Sequence, residues 1–338
     1  MKKIIREVDI KRGIHQVTIA DERWYLRPTK NELTGLPDYM AVPSVTWITQ
    51  SYPKGIGYFK WLAERGWDEA EAIKTQAGDK GTKVHLAIED ILAGKEVRID
   101  SKYPSKTTGN DEELTLEECD AILSFTSWKK SMEENYIIET LATEITVFSM
   151  QYNYAGTVDW IVKMTHKETQ VAEYWIIDFK TSQQVWPSHE LQLNAYKRVL
   201  ENGENKVQGL DVTDLKLAVL QVGYRKNKNQ YKFNPIDVDF EMFLVTQKIW
   251  QKEHGGEKIS KRDYPIILSP AVKTELDKTV EAVVEVIHEV EEIPLPTPDD
   301  GIELSGEPQV DEFAEFAEFI KPEESQVEPL SKKTKKTK

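Results

Sequence analysis

The stretch "AGTVDWIVKMTHKETQVAEYWIIDFKTS", residues 155–182, decides the fold, because it contains two apolar strands separated by a polar turn. Each strand carries an aspartate, Asp159 or Asp178, where an apolar residue would suit a core. Side chains two residues apart on a strand point to the same side, so Asp178 and Lys180 share one face while Phe179 points away. The pattern therefore places charged side chains within a sheet, where they require a stabilising partner or a functional role.

Asp159 stands within the apolar run 158–162 and is therefore predicted to be at least partly buried. An isolated buried carboxylate is costly, whereas two that face each other can be stabilised by a divalent cation. Oxygen ligands favour hard ions such as Mg²⁺ or Mn²⁺. Two structural explanations stay open here: an edge-strand ion pair between Asp178 and Lys180, or a turn role for Asp159 after Gly156.

Two helical segments add polar pairs four residues apart, a spacing that puts both side chains on one helical face. His85 and Glu89 form the first pair in "GTKVHLAIEDIL", and Gln192 and Tyr196 form the second in "ELQLNAYKRVL". The alternative for the second pair is a packed Tyr196 and a solvated Gln192. His189, near the start of the second helix, is interpreted as a cap or surface residue.

The ordered segments "GTKVHLAIE", "AGTVD", "IIDFKTS" and "QLNAY" resemble the motifs of the RecB-like branch of the PD-(D/E)XK nuclease superfamily. They are most similar to its standalone phage and prophage members, over about residues 20 to 250. One such motif alone is weak, whereas four in order are specific. The resemblance implies an α+β (mixed α/β) protein with a restriction-endonuclease-like central mixed β-sheet flanked by helices.

The resemblance also assigns roles to individual residues. It implies a metal ion held by His85, Asp159, Asp178 and the backbone carbonyl of Phe179. Lys180 would orient or deprotonate the attacking water and offset negative charge. Gln192 and Tyr196 would act on the same site by positioning the DNA backbone or Lys180. Glu89 would reach the site directly or through the water of a second metal; otherwise it is a surface residue.

Two further candidates come from the residues themselves. Glu144 lies on the strand before Asp159 and could point into the same cleft as an indirect contributor, although a strand glutamate is more commonly solvated or ion-paired. The segment "GYRKNKNQYK" interleaves basic and aromatic residues, which predicts DNA contacts from Arg225, Lys226, Lys228 and Tyr231. Its alternative is a hairpin turn with a solvated basic tip.

Periodicity predicts the order of the elements. "RWYLRP" and "AVPSVTWIT" are predicted as strands, followed by helices at "GYFKWLAERG" and through residues 68–94, the second with a possible break at Gly78. A helix at residues 114–136 leads into a mainly antiparallel set of three strands. A helix at residues 188–200, two more strands and a helix from Asp239 complete the order.

Charge and composition divide the chain into a domain and a tail. The chain carries −14, of which −10 belongs to residues 281–338, so residues 1–280 are nearly balanced at −4. We therefore expect a nuclease domain over residues 1–280, with an N-terminal β-hairpin/helical segment, and an acidic, disordered tail over 281–338 that ends in a Lys-rich segment. Within the tail, "DEFAEFAEFI" is either a short solvated helix or a docking peptide for a partner protein.

The sequence excludes several classes of protein. Cys119 is the only cysteine, which leaves no disulfide and no iron–sulfur cluster. No P-loop motif is present. No apolar run approaches the roughly 18 to 20 residues of a membrane span, so we expect no membrane association and a cytoplasmic protein, in the bacterial host if phage-encoded.

The sequence thus predicts an Mg²⁺- or Mn²⁺-dependent DNA exonuclease of recombination, replication or repair. Its substrate would be single-stranded DNA or duplex ends, and its partner a single-strand annealing or other recombination protein. Two alternatives remain: a structure-specific endonuclease with the same site, and a non-catalytic DNA-binding or assembly subunit with a nuclease fold.

Overall fold

The computed structural model describes residues 2–5, 9–11, 14–19, 22–30, 37–203, 205–211, 214–255 and 258–261. The predicted tail and the boundary at residue 280 lie outside them. The helices are α1 (Val45–Gln50), α2 (Ile56–Arg65), α3 (Trp67–Leu92), α4 (Leu116–Asn135), α5 (Pro187–Glu201) and α6 (Phe240–His254). Among the described residues, no helix is both long and apolar enough to cross a membrane.

Within the described ranges, the strands form four sheets. The N-terminal strands are β1 (Lys2–Ile5), β2 (Asp9–Lys11), β3 (Ile14–Ile19), β4 (Glu22–Lys30) and β5 (Pro37–Pro43), followed by the short pair β6 (Lys102–Pro104) and β7 (Asp111–Glu113). The later strands are β8 (Tyr136–Ser149), β9 (Tyr154–His166), β10 (Ala172–Lys180), β11 (Leu215–Val222), β12 (Tyr231–Ile236) and β13 (Lys258–Lys261). β2 to β5 form one antiparallel sheet, and β1 pairs with β13.

The central sheet has five strands in the order β12-β11-β10-β9-β8. β8, β9 and β10 form an antiparallel meander, β10 and β11 are parallel, and β12 returns antiparallel to β11. A parallel pair requires a crossover connection, which α5 supplies between β10 and β11. The predicted central mixed sheet flanked by helices is confirmed.

Both faces of this sheet are covered, which explains why its inner strands are almost continuously apolar. On β10, Ile176 packs into one core with residues of α5 and α6, and Ile177 packs into the other with residues of α3 and α4. A polar side chain near the end of β10 is therefore enclosed by the fold on whichever side it points.

Two local predictions are wrong. The segment "SVTWIT" enters a helix, α1, because Ser44 Oγ accepts a hydrogen bond from Trp47 N at 3.0 Å and caps its first turn. The suggested break at Gly78 is absent, since α3 runs without interruption from Trp67 to Leu92 with Gly78 buried inside it. A single helical glycine costs only about 1 kcal/mol relative to alanine, and the packing of α3 outweighs that cost.

Both edge strands of the central sheet are irregular. β12 contains Pro235, which lies opposite Ala218 and offers no N–H. β8 shifts register between Thr140 and Ala142, and farther along the same strand Glu144 has a left-handed φ of 51°. The ladder of β8 is therefore interrupted, whereas β12 keeps its register with β11 and lacks only the N–H of Pro235.

Gly156 on β9 lets α5 approach the sheet closely. A Cβ atom at this position would lie 2.5 Å from Tyr196 Cε1 and 2.9 Å from Tyr196 Oη. Tyr196 is only 1% exposed, so its ring has little freedom to move away. The glycine three residues before Asp159 thus has a packing reason: the ring of Tyr196 occupies the space of a side chain.

Gly156→Ala should lower the free energy of unfolding by about 1–3 kcal/mol, because the Tyr196 ring must shift in a packed core. Urea denaturation would measure the change. Gly81→Ala in α3 is the matched control, since the nearest atom beyond its own helix backbone would be Thr181 Oγ1 at 3.9 Å. That variant should gain about 0.5–1 kcal/mol, and equal effects at the two glycines would contradict the packing argument.

Candidate active site

Three buried side chains, His85, Glu144 and Asp159, bring potential metal-ligand atoms within 4.8 Å of one another. They come from α3, β8 and β9, respectively. His85 Nδ1 lies 3.5 Å from Asp159 Oδ2, and this oxygen accepts a hydrogen bond from Phe179 N at 2.9 Å. The backbone of β10 therefore orients the carboxylate of β9 toward the histidine.

Asp178 and Lys180 form a buried ion pair at the end of β10. Lys180 Nζ lies 3.0 Å from Asp178 Oδ2, and each side chain is 2% exposed. The two residues share one side of the strand, as the sequence predicts, while the Phe179 ring packs into the other core. Because β10 lies between β9 and β11, the explanation as an edge-strand ion pair is wrong. Asp159 lies inside β9, so the turn explanation is wrong as well.

Glu144 is a full member of the buried group, whereas its sequence context predicted at most an indirect contribution. It lies opposite Asp159 on the neighbouring strand, between the register pairs Thr143↔Trp160 and Ile145↔Val158. Its side chain is 3% exposed. A positive φ is uncommon for a non-glycine residue in a strand, and such conformations cluster at functional sites. The sequence signal was weak, because alternating strand residues of this kind are usually solvated.

The carboxylates have unusual acidities for a physical reason. Burial raises the pKa of Asp159 to about 6, against the opposing effects of Lys180 and of the hydrogen bond from Phe179 N. Burial also raises the pKa of Asp178, while the charge of Lys180 lowers it and the charge of Asp159 raises it. Without an added cation, the enclosed site therefore disfavours its own ionised carboxylates.

The donor set fits a divalent cation. Among the described residues, Asp159 Oδ1 and both carboxylate oxygens of Asp178 are buried and accept no hydrogen bond. Lys180 Nζ lies close to Asp178 Oδ2, but the two groups form an ion pair without hydrogen-bond geometry. Leaving buried carboxylate oxygens uncompensated is costly. Carboxylate oxygens with one imidazole nitrogen suit Mg²⁺ or Mn²⁺, so the residues present match the predicted cofactor class.

α5 encloses the site on a further side. Gln192 Nε2 donates to Tyr196 Oη at 3.0 Å, and both side chains are buried, so the solvated alternative for Gln192 is wrong. His189 is 2% exposed, and its Nδ1 accepts a hydrogen bond from Trp186 N at 3.3 Å. It is therefore a cap, as expected, but not a surface residue. The electrostatic effect of His189 lowers the pKa of Asp178 on β10.

The remaining predicted residues lie farther out. Glu89 is half-buried and does not belong to the close group of His85, Glu144 and Asp159. The basic segment forms the tip between β11 and β12, with exposed side chains at Arg225, Lys226 and Lys228, whereas Tyr231 packs partly against a core.

The comparison with protein families agrees with this geometry. The family model described as the PD-(D/E)XK nuclease superfamily matches residues 58–292, which supports a metal-dependent nuclease domain. The match covers more than half of the chain, and the chain belongs to this superfamily. A search of curated proteins found no match. The resemblance seen in the sequence is thus confirmed at the level of the superfamily.

Asp159→Asn should stabilise the metal-free protein above pH 6. The folded-state pKa of about 6 exceeds the value of about 3.9 expected in the unfolded chain, so wild-type stability falls as pH rises through this window. An uncharged amide avoids that loss. Urea midpoints in EDTA at pH 5 and pH 8 should therefore differ more in wild type than in the variant. The exposed Asp111→Asn serves as control, and a variant as pH-sensitive as wild type would refute the assignment.

Glu144→Gln should weaken Mn²⁺ binding by about tenfold or more if Glu144 acts on the cation directly or through a neighbouring ligand. Isothermal titration calorimetry without DNA would measure the affinity. Glu139→Gln on the same strand removes the same charge from an exposed side chain, and it should bind Mn²⁺ like wild type. Equal affinities in both variants would remove Glu144 from the site.

Proposed function

We propose that the protein is a divalent-metal-dependent DNA exonuclease of the RecB-like branch, acting in phage or prophage recombination, replication or repair. One observation carries the proposal: buried His85, Glu144 and Asp159, from α3, β8 and β9, adjoin the buried Asp178–Lys180 pair on β10. A group of ionisable residues that is enclosed to this degree has no evident structural benefit, because apolar residues would pack more favourably.

The proposed reaction is hydrolysis of a phosphodiester bond, in which a water oxygen bonds to phosphorus as the bond to the leaving oxygen breaks. Mg²⁺ or Mn²⁺ held by His85, Asp159, Asp178 and the Phe179 carbonyl, with Glu144 nearby, would polarise water and neutralise charge on the phosphate. As an ammonium, Lys180 Nζ would orient the attacking water and offset negative charge on the phosphoryl oxygens; as a neutral amine, it would instead deprotonate that water. Asp178, 3.0 Å away, would keep that ammonium in place.

Residues around this centre would position the DNA. The hydrogen-bonded Gln192 and Tyr196 would hold either the sugar-phosphate backbone or Lys180. The exposed Arg225, Lys226 and Lys228, with Tyr231 beside them, would contact phosphates or unpaired bases. The nuclease domain over residues 1–280, a cytoplasmic location and a recombination partner that docks on the tail remain parts of the proposal.

Cleavage of end-labelled DNA tests the proposal. Linear single-stranded and duplex DNA, labelled at the 5′ or the 3′ end, should lose label with Mn²⁺ or Mg²⁺ but not with EDTA. Lys180→Met should lower the rate by about 10²-fold or more, because it removes a charge from the reacting phosphate. Lys163→Met is the matched control: this lysine is paired with Glu139 at the surface, and its loss should leave the rate unchanged.

A circular single-stranded substrate separates the two enzymatic alternatives. An exonuclease leaves the circle intact while it degrades the linear form, whereas an endonuclease with the same site cuts both. No metal-dependent cleavage of any of these substrates would overturn the proposed activity and favour the non-catalytic subunit.

A further inference from the structure

A cavity of about 340 Å³ adjoins the end of the catalytic strand. Thr181, the residue after Lys180, lines it, and the other walls come from α3, α4 and the tip between β11 and β12. The cavity is mixed in charge, with the basic side chains of Lys80, Arg225 and Lys228 and the acidic side chains of Glu117 and Asp120. It is separate from the buried carboxylate group, although the chain connects the two directly.

Glu117 bridges two of these cations. Lys80 Nζ lies 2.8 Å from Glu117 Oε2, and Arg225 Nη2 lies 2.9 Å from Glu117 Oε1. Lys80, and to a lesser extent Arg225, lower the pKa of Glu117, so the carboxylate is held in its charged form. One anionic group thus occupies the point between a lysine and an arginine that belong to different elements.

The tip is fixed to its surroundings by backbone contacts. Arg225 N donates to Gln183 Oε1 at 2.8 Å, and Gln183 Nε2 donates to Gly223 O at 3.0 Å. Gly223 N donates to Ser124 Oγ at 2.9 Å, which ties the same segment to α4. Gly223 has a φ of +68°, and a Cβ there would lie 3.2 Å from Ala121 Cβ. These contacts hold the backbone of Arg225 in place beside the catalytic strand.

We propose that this cavity binds one phosphate of the DNA strand, the neighbour of the phosphate that is cleaved. Glu117 takes the place of this neighbouring phosphate when DNA is absent. The inference rests on the proposed function and deepens it, because it says where the strand runs beyond the reacting centre. Lys80 thereby becomes part of the DNA-binding surface, and Glu117 becomes a competitor of the substrate.

A DNA phosphate should bind Arg225 and Lys80 more strongly than the carboxylate of Glu117 does. The Glu117 side chain is 60% exposed and that of Arg225 is 53% exposed, and ion pairs between such groups are weak. A phosphate diester presents its charge on two oxygens that match the fork of the guanidinium, so it can bind Arg225 at two points while Lys80 approaches from the other wall. The displaced carboxylate regains its hydration at the surface.

Measuring DNA affinity against salt concentration in EDTA, where DNA is bound but not cut, tests the subsite. A fluorescent oligonucleotide and the full-length protein are sufficient. Lys80→Gln and Arg225→Gln should bind more weakly, and each should reduce the slope of log K against log salt by about 0.7–0.9, the loss of one phosphate contact. Glu117→Gln should bind about two- to fivefold more tightly at low salt, the effect of releasing an exposed ion pair.

The control variant removes one negative charge from a glutamate outside the cavity. Glu139→Gln breaks an exposed ion pair with Lys163 whose carboxylate is 58% exposed, close to the 60% of Glu117, so it matches both net charge and exposure. Affinity gains of equal size in Glu117→Gln and Glu139→Gln would overturn the proposal, as would unchanged salt slopes in both cation variants. If the variants alter competition by inorganic phosphate but not DNA affinity, the cavity binds free phosphate and the DNA subsite is refuted.

The outcomes for the activity and for the subsite remain separable. DNA that binds with the expected slopes but is never cleaved would remove the proposed activity and keep the subsite. Metal-dependent cleavage with slopes that Lys80→Gln and Arg225→Gln leave unchanged would keep the activity and remove the subsite.

Discussion

The structure depends on the enclosure of charge between two apolar cores. Asp159 and Asp178 stand on adjacent strands of a sheet that is covered on both faces, and Glu144 faces Asp159 from the third strand of the same meander. Burial in a low-dielectric space is the main cause of the raised pKa values of Asp159 and Asp178, and the charge of Asp159 adds to it at Asp178. The charge of Lys180 offsets part of the cost of burying these carboxylates, and a divalent cation would offset more of it.

The surrounding elements are arranged to keep this group intact. The amide of Phe179 directs Asp159, and the parallel crossover through α5 brings Gln192 and Tyr196 over the glycine of β9. Each contact comes from a different part of the chain, so a small shift of one element changes the geometry of several groups. Precision of this kind is expected where charge must be placed to within about 0.5 Å for catalysis.

The sequence predicted most of this arrangement because strand alternation and helical spacing are local properties. Asp178 and Lys180 could be placed on one side of a strand from their separation alone. Periodicity also predicted the order of elements from α2 to α6, apart from the short pair β6 and β7. Glu144 could not be placed with equal weight, since its orientation depends on a left-handed backbone and on cross-strand register. The α1 segment was misread because its β-branched residues favour strands, whereas the Ser44 cap decides for a helix.

The irregularity of β8 has a further consequence for behaviour in solution. β8 and β12 are the outer strands of the central sheet, and a long regular outer strand is a template on which another extended chain can pair. The register shift near Leu141 and the left-handed Glu144 interrupt one template, and Pro235 interrupts the other. The backbone turn that brings a carboxylate into the site thus also protects the protein from edge-to-edge aggregation, so a repair of the strand toward regular geometry would cost solubility together with the site.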